Sequence, residues 1–161
     1  MSFNSEQIKK YLDKTQFIVL GTVWDGKPEL RTMSSFAMEE FTTVFSTHKA
    51  TLKVCQILAN PQVSILFQHE NQKLRSFVNI TISGIAKKVE DSSGQQRIIS
   101  LIGERNPRYL HRMQRGTLEG QVFFKVEPIE MKILDFGISP SPDGVKRLSF
   151  NGKEAETTRA A

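Results

Sequence analysis

The stretch FSTHKATLKVCQILANP, residues 45–61, sets Ser46, Thr47, His48 and Lys49 in a row and adds Thr51 and Lys53. Hydroxyls and ammonium groups at this density are donors for an oxyanion, and the chemistry they suit is phosphate binding. Apolar spacing over 51–59, with Leu52, Cys55 and Ala59 on one face and Val54, Ile57 and Leu58 widening it, predicts a helix that Asn60-Pro61 stops. Thr47 at a strand end, Thr51 at the cap and Lys53 in the first turn then converge on one anion at the positive end of the helix dipole. The competing reading is plain: Thr51 caps the helix and the lysines are solvated.

A second stretch, PELRTMSS, adds a guanidinium. Strand alternation puts Arg31, Met33 and Ser35 on one face and Thr32, Ser34 and Phe36 on the other. An arginine in a half-buried strand needs an anion, either the phosphate shared with Lys53 or an ion pair with Glu29 or Glu40. Other chemistries find less support. His48, His69 and His111 are too dispersed for a metal site, and Cys55, the single cysteine, excludes a disulfide or thiolate cluster and reads as a small core residue. Neither GxGxxG nor GxxxxGK[ST] occurs, so a Rossmann or P-loop nucleotide site is excluded.

The elements that must position these residues follow from local signals. Asn4 and Gln7 are spaced as a capping box for a helix over 5–14. Asp25-Gly26 is a hairpin turn between QFIVLGTVW and a strand over 29–38, and FTTVFSTH is the next strand. QVSILFQ and SFVNITISGIAKKVE follow, with Gly84 predicting a bulge. Asp91 and Ser92 cap a helix to Ile102, NPRYLHRMQRG gives a further helical turn, and GQVFFKV and IEMKILDF are two strands separated by Glu127-Pro128. Six or seven strands with short connections and peripheral helices predict a mainly β, α+β fold, an antiparallel barrel filling residues 1–138 as one domain. Residues 139–161 read as a polar tail, partly disordered.

With 161 residues, 39% hydrophobic and 24% charged, the chain can bury a core without metals or disulfides. No apolar run spans a bilayer and the N-terminus lacks a signal core, so the expectation is a cytoplasmic protein without membrane contact. The net charge of +5 is scattered, and Phe17, Phe45 and Phe67 sit in apolar runs, which argues against nucleic acid as a partner.

The order LGTVWDGKPELRTMSS, then FSTHKATLKVCQILANPQVSILF, then a long strand with a glycine, resembles the pyridoxamine 5′-phosphate oxidase-like family of FMN-binding split barrels. The resemblance runs from about Phe17 to Lys87, with an echo in FKVEPIEMKILDF. It implies a split β-barrel and a homodimer with the flavin between subunits. Arg31, Thr32, Met33 and Ser34 would lie along the flavin with Arg31 toward the phosphate side, Ser46 and Thr47 at the next strand's end, Lys53 at the phosphate, and Asn79 where the family often has a glutamine facing the ring. FMN is the implied cofactor, although related barrels take a deazaflavin. The departures are Leu52 for an arginine before the phosphate lysine, Phe36 for the substrate lysine, and Ile102 and Asn106 for the substrate tyrosine and arginine. These argue against pyridoxine-phosphate oxidation. The reading is a flavin oxidoreductase with unknown donor, acceptor and catalytic residues; the alternative is a non-enzymatic flavin or haem binder, redox sensor or electron-transfer protein.

Overall fold

The computed structural model describes residues 3–116, 118–138, 144–151 and 154–158. Helix α1 (Ser5–Lys14) opens with the predicted capping box, Asn4 and Gln7 each accepting the other's backbone N–H. Strands β1 (Ile18–Trp24) and β2 (Lys27–Met33) form the predicted hairpin, and Asp25 and Gly26 both take positive φ, as its two-residue turn requires. There follow β3 (Phe36–Glu39), β4 (Thr42–His48), α2 (Leu52–Ala59), β5 (Gln62–Gln68) and β6 (Val78–Lys88). The chain continues through α3 (Ser92–Arg105), α4 (Pro107–Gln114), β7 (Gln121–Asp135), β8 (Val145–Asn151) and β9 (Glu154–Thr158).

The strands form one antiparallel sheet in the order β2-β1-β5-β6-β7-β4-β3, with β8 added to β7 and β9 to β8. Its two ends, β2 and β3, are consecutive in the chain. The Ser46 N–H donates to Ser35 O (3.1 Å) beside this seam, but no ladder joins β2 to β3 among the described residues, so the barrel is split. Phe36, Phe45, Phe67 and Phe124 fill its interior with Ile18, Leu20, Ile65 and Ile80. A second cluster, Ile98, Ile102, Tyr109 and Met113 against Ala37, Val44 and Phe123, fixes α3 and α4 outside β3 and β4.

Four sequence expectations change. The strand predicted over 29–38 breaks at Ser34-Ser35, because the chain must pass there from one end of the sheet to the other. The two strands predicted around Glu127-Pro128 are one, β7: the register shifts between Ser83 and Gly84 and leaves Ile129 as the extra residue, so the bulge accommodates the proline. Gly84 is needed there, since a Cβ would lie 2.2 Å from Glu127 O. Within the stretch read as a polar tail, β8 pairs with β7 and buries Leu148, its apolar alternation masked by Lys146 and Arg147. Residues 139–143, 152–153 and 159–161 of that stretch lie outside the described residues. Finally, α2 turns Val54, Gln56 and Ile57 inward and leaves Cys55 exposed, with Leu52 and Leu58 59% and 61% exposed. Cys55 is therefore a surface thiol rather than a core residue.

Candidate functional site

The short turn from β4 into α2 sets Thr47 and Thr51 side by side, their hydroxyl oxygens 3.3 Å apart. Lys53 bends back to donate from Nζ to Thr47 Oγ1 at 3.1 Å. The Thr51 hydroxyl donates to His48 O (2.9 Å) and makes no side-chain cap, so the positive end of α2 has no side-chain acceptor of its own. His48 itself accepts the Ala50 N–H at Nδ1 (3.2 Å) and packs on Gly120, where a Cβ would come within 2.6 Å of Nε2.

Arg31 reaches the same end of the barrel from β2. Its Nη1 donates to Thr22 Oγ1 (2.7 Å), Leu20 O (3.2 Å) and Glu29 O (3.2 Å), and its Nη2 donates to Gln56 Oε1 (2.7 Å). Gln56, fully buried, also accepts from the Thr22 hydroxyl (2.7 Å) and donates through Nε2 to Glu29 Oε2 (2.6 Å). Of the two ion pairs open to Arg31, the one with Glu29 forms, at 3.7 Å, whereas Glu40 takes Lys9. Burial holds the Arg31 pKa below the ordinary guanidinium value, and the Glu29 charge pulls the other way. Burial likewise lowers the Lys53 pKa, and the positive charge of Arg31 lowers it further. Two half-buried cations thus repel each other beside two hydroxyls and an uncapped helix start. Lys53 has no carboxylate partner among the described residues. Such a donor set fits a phosphate.

Gln56 and Thr22, which bond to Arg31 and to each other, are members of the cluster that the sequence reading missed. Gln56 stands three residues after Lys53, on the same helical side, and that spacing was the available signal.

The other predicted residues lie elsewhere. Met33 is in the barrel core. Ser46, on the opposite face of β4 from Thr47, donates to Gln121 Oε1 (2.8 Å) under α4. Near it the Tyr109 hydroxyl is buried and meets no hydrogen-bond geometry among the described residues; burial raises its pKa, while the nearby Ser46 hydroxyl and the Arg112 charge oppose the rise. Thr32 and Ser34 are exposed and Asn79 is half-buried, all on the outer face of the sheet. The register from Met33 to Ile18, Ile18 to Phe67 and Gln68 to Asn79 places Ser34, Phe17, Gln68 and Asn79 along one outer row. Arg31, Thr47, Thr51 and Lys53 are therefore gathered at the barrel end, while Ser34 and Asn79 share a different surface.

Among the described residues no three His, Cys, Asp or Glu side chains are grouped to hold a metal, and no helix is long and apolar enough to cross a membrane.

The fold and this site can be set beside known proteins. The chain is similar to a putative pyridoxamine 5′-phosphate oxidase from Listeria innocua, with 25% identity and a TM-score of 0.66, covering 81% of this chain and 97% of that one. It is also similar to HutZ, the heme storage protein of Vibrio cholerae, at 22% identity and TM-score 0.68 over 83% and 96% of the two chains. A FAD-binding protein from Mesorhizobium loti aligns at 17% identity and TM-score 0.65 over 81% and 94%. No curated protein matches the sequence. The family model for pyridoxamine 5′-phosphate oxidase matches residues 5–135, which span α1 to β7 and the whole barrel-end cluster, and the chain belongs to that family.

Proposed function

We propose that the chain is an FMN-dependent oxidoreductase that works as a cytoplasmic homodimer. The observation that carries this reading is the meeting of Lys53, Arg31, Thr47 and Thr51 at an α2 start without a side-chain cap. Lys53 and Arg31 would hold the phosphate by charge, Thr47 and Thr51 by their hydroxyls, and Gln56 would keep the Arg31 fork in place. Ser34 and Asn79, on the outer row, would face the ring from a surface that a second subunit completes. Exposed Leu52 and Leu58 on α2, and Leu30 and Ile129 on the outer sheet, support a self-association surface. FMN, when bound, supplies hydride and electron transfer at its ring; a deazaflavin would supply hydride transfer alone.

Lys53→Met tests the site. It keeps the stem and removes one charge-assisted hydrogen bond, worth about 1.5 to 3 kcal/mol, or roughly tenfold to a hundredfold in FMN affinity. Riboflavin, lacking the phosphate, should bind wild type and variant alike. Equal loss for both ligands in calorimetric titrations would place the phosphate elsewhere.

A second reading is a flavin or haem binder without turnover. Phe36 and Ile102, which stand at the family's substrate positions, are both fully buried and offer no group to a substrate. NAD(P)H consumption by the FMN-loaded chain, set against free FMN, separates the two: equal rates favour the binder.

A further inference from the structure

Asp135, the last residue of β7, carries a carboxylate that the fold buries without a counter-charge. The residue is only 8% exposed. Its Oδ1 accepts the Gly137 N–H at 2.8 Å, and no other hydrogen bond or ion pair reaches the carboxylate among the described residues. Lys146, on the neighbouring strand β8, donates to Phe3 O (3.3 Å) and does not pair with it. Taking an ionised carboxylate out of water is unfavourable unless a cation or several donors compensate. The surroundings of Asp135 supply a single N–H.

The carboxylate lines a cavity of about 310 Å³ together with Phe3, Gln7, Ser76, Val78 and Gly137. Gln7, Ser76 and Gly137 are exposed and make its rim, whereas Val78 is buried and Phe3 half-buried, giving an apolar inner wall. The wall is held firmly: Val78 O accepts the Tyr11 hydroxyl (2.6 Å), and the Val78 N–H donates to Gln72 Oε1 (2.8 Å). Gln7 Oε1 already accepts the Asn4 N–H. The groups left to recognise a ligand are the Asp135 carboxylate and the Ser76 hydroxyl. This cavity is separate from the Lys53 cluster. Asp135 pairs with Val78, five residues before Ser83 on β6, and Ser83 belongs to the row Gly21–Ser64–Ser83 beside Thr22. At about 3.3 Å per residue the two places lie roughly 17 Å apart along the sheet.

We propose that this cavity binds a small organic ammonium ion with a short apolar stem, its N–H groups donating to Asp135 and to the Ser76 hydroxyl and its stem lying against Phe3 and Val78. A bare metal ion suits the site less well. One carboxylate and one hydroxyl fall short of the about six to eight oxygen ligands that a calcium ion takes, and the cavity holds far more than one ion or water. A primary ammonium instead satisfies the free carboxylate oxygen by a charge-assisted hydrogen bond, and its stem uses the apolar wall. The inference does not rest on the flavin reading.

The test is an amide NMR titration of the full chain, with and without FMN, at constant ionic strength, using butylammonium, methylammonium, butanol and potassium chloride. The Gly137 amide, which donates to Asp135, is the local reporter. Butylammonium should move it saturably in the millimolar range, with methylammonium about tenfold weaker for want of the stem and butanol at least about tenfold weaker for want of the charge. Asp135→Asn keeps an oxygen for the Gly137 N–H and should weaken butylammonium about tenfold or more. Ser76→Leu, at the exposed rim, narrows the mouth without changing charge and should also weaken it, so the test survives if Asp135→Asn does not fold. FMN should leave the ammonium affinity unchanged. No saturable Gly137 shift in the millimolar range, equal affinity for ammonium and alcohol, the same shifts from potassium, undiminished affinity in a folded variant, or competition with FMN overturns the proposal. A chain that ignores FMN yet binds butylammonium through Asp135 removes the flavin reading and keeps this site; a chain that binds FMN and ignores butylammonium does the opposite.

Discussion

The barrel end and the α1–α4 cleft use the same residue types to opposite effect. At the barrel end Arg31 gives its N–H groups to Leu20 O, Thr22, Glu29 O and Gln56, and the Gln56 amide is engaged at both its oxygen and its nitrogen. The cations there are partly desolvated, and the lowered pKa values of Lys53 and Arg31 record it. In the cleft between the end of α1 and the start of α4, which Phe17 also lines, Lys14 and Arg108 are exposed to water and held by no ion pair among the described residues. A network fixed before binding can demand one geometry of its ligand, such as a phosphate, at little further ordering cost. Exposed cations attract any anion of suitable shape but are screened by water and salt. One region is therefore built for a ligand group of fixed geometry, whereas the other presents charge without fixing a geometry.

The sharpest attack on this contrast is Gln56→Leu. It strips a buried acceptor from Arg31 and Thr22 and a donor from Glu29, and should destabilise the chain by about 2 to 3 kcal/mol. For a domain of this size that is roughly a 4 to 12 °C fall in Tm, readable by calorimetry. An unchanged Tm would mean that the barrel-end network is not pre-organised at all. Arg31→Lys keeps the charge but loses the planar fork, and should cost about 1 kcal/mol in urea unfolding together with roughly tenfold in FMN affinity. Retained FMN affinity there would show that charge alone suffices.

A pH series sharpens the electrostatic side. The folded pKa of Lys53 lies below its ordinary value of 10.5, so the unfolded chain holds that proton more tightly. Without ligand, the Lys53 contribution to stability should rise with pH between the lowered folded value and 10.5. FMN affinity should run the other way, falling as Lys53 deprotonates earlier than a free lysine does, while Lys53→Met shows no such fall in that window. Parallel profiles for wild type and variant would remove Lys53 from the phosphate site. The smallest effect belongs to the cleft: Lys14→Met with Arg108→Met, at exposed positions, should move stability by less than about 0.5 kcal/mol. A larger change in urea unfolding would reveal contacts that make the cleft part of the scaffold.

Much of the fold was legible because its signals are local. The Asn4–Gln7 capping box, the Asp25-Gly26 hairpin, the Asp91 cap of α3 and the Gly84 bulge each depend on residues a few positions apart, and the structure contains them all. The grouping of Thr47, Thr51 and Lys53 was legible for the same reason, since one turn and the first turn of a helix position them. The orientation of α2 was not legible. Whether Cys55 or Gln56 faces inward depends on what the barrel end offers, and Thr22, Arg31 and Glu29 offer hydrogen bonds that make a buried glutamine favourable and an apolar residue there unnecessary.

Longer pairings were likewise beyond any local pattern. Ser46 finds Gln121 across 75 positions of chain, and Val145–Asn151 becomes a strand only because β7 presents an open edge to it. Sequence alone determined which side chains carry donors and charge, and where helices and turns begin. Tertiary structure decided which of those side chains share a space: it brought Arg31 near Lys53, set Asn79 on the outer face with Ser34, and placed Lys14 and Arg108 in one cleft with Phe17. The physical reason is that a side chain's direction follows its own backbone, whereas its neighbours are set by strand register and packing between segments far apart in the chain.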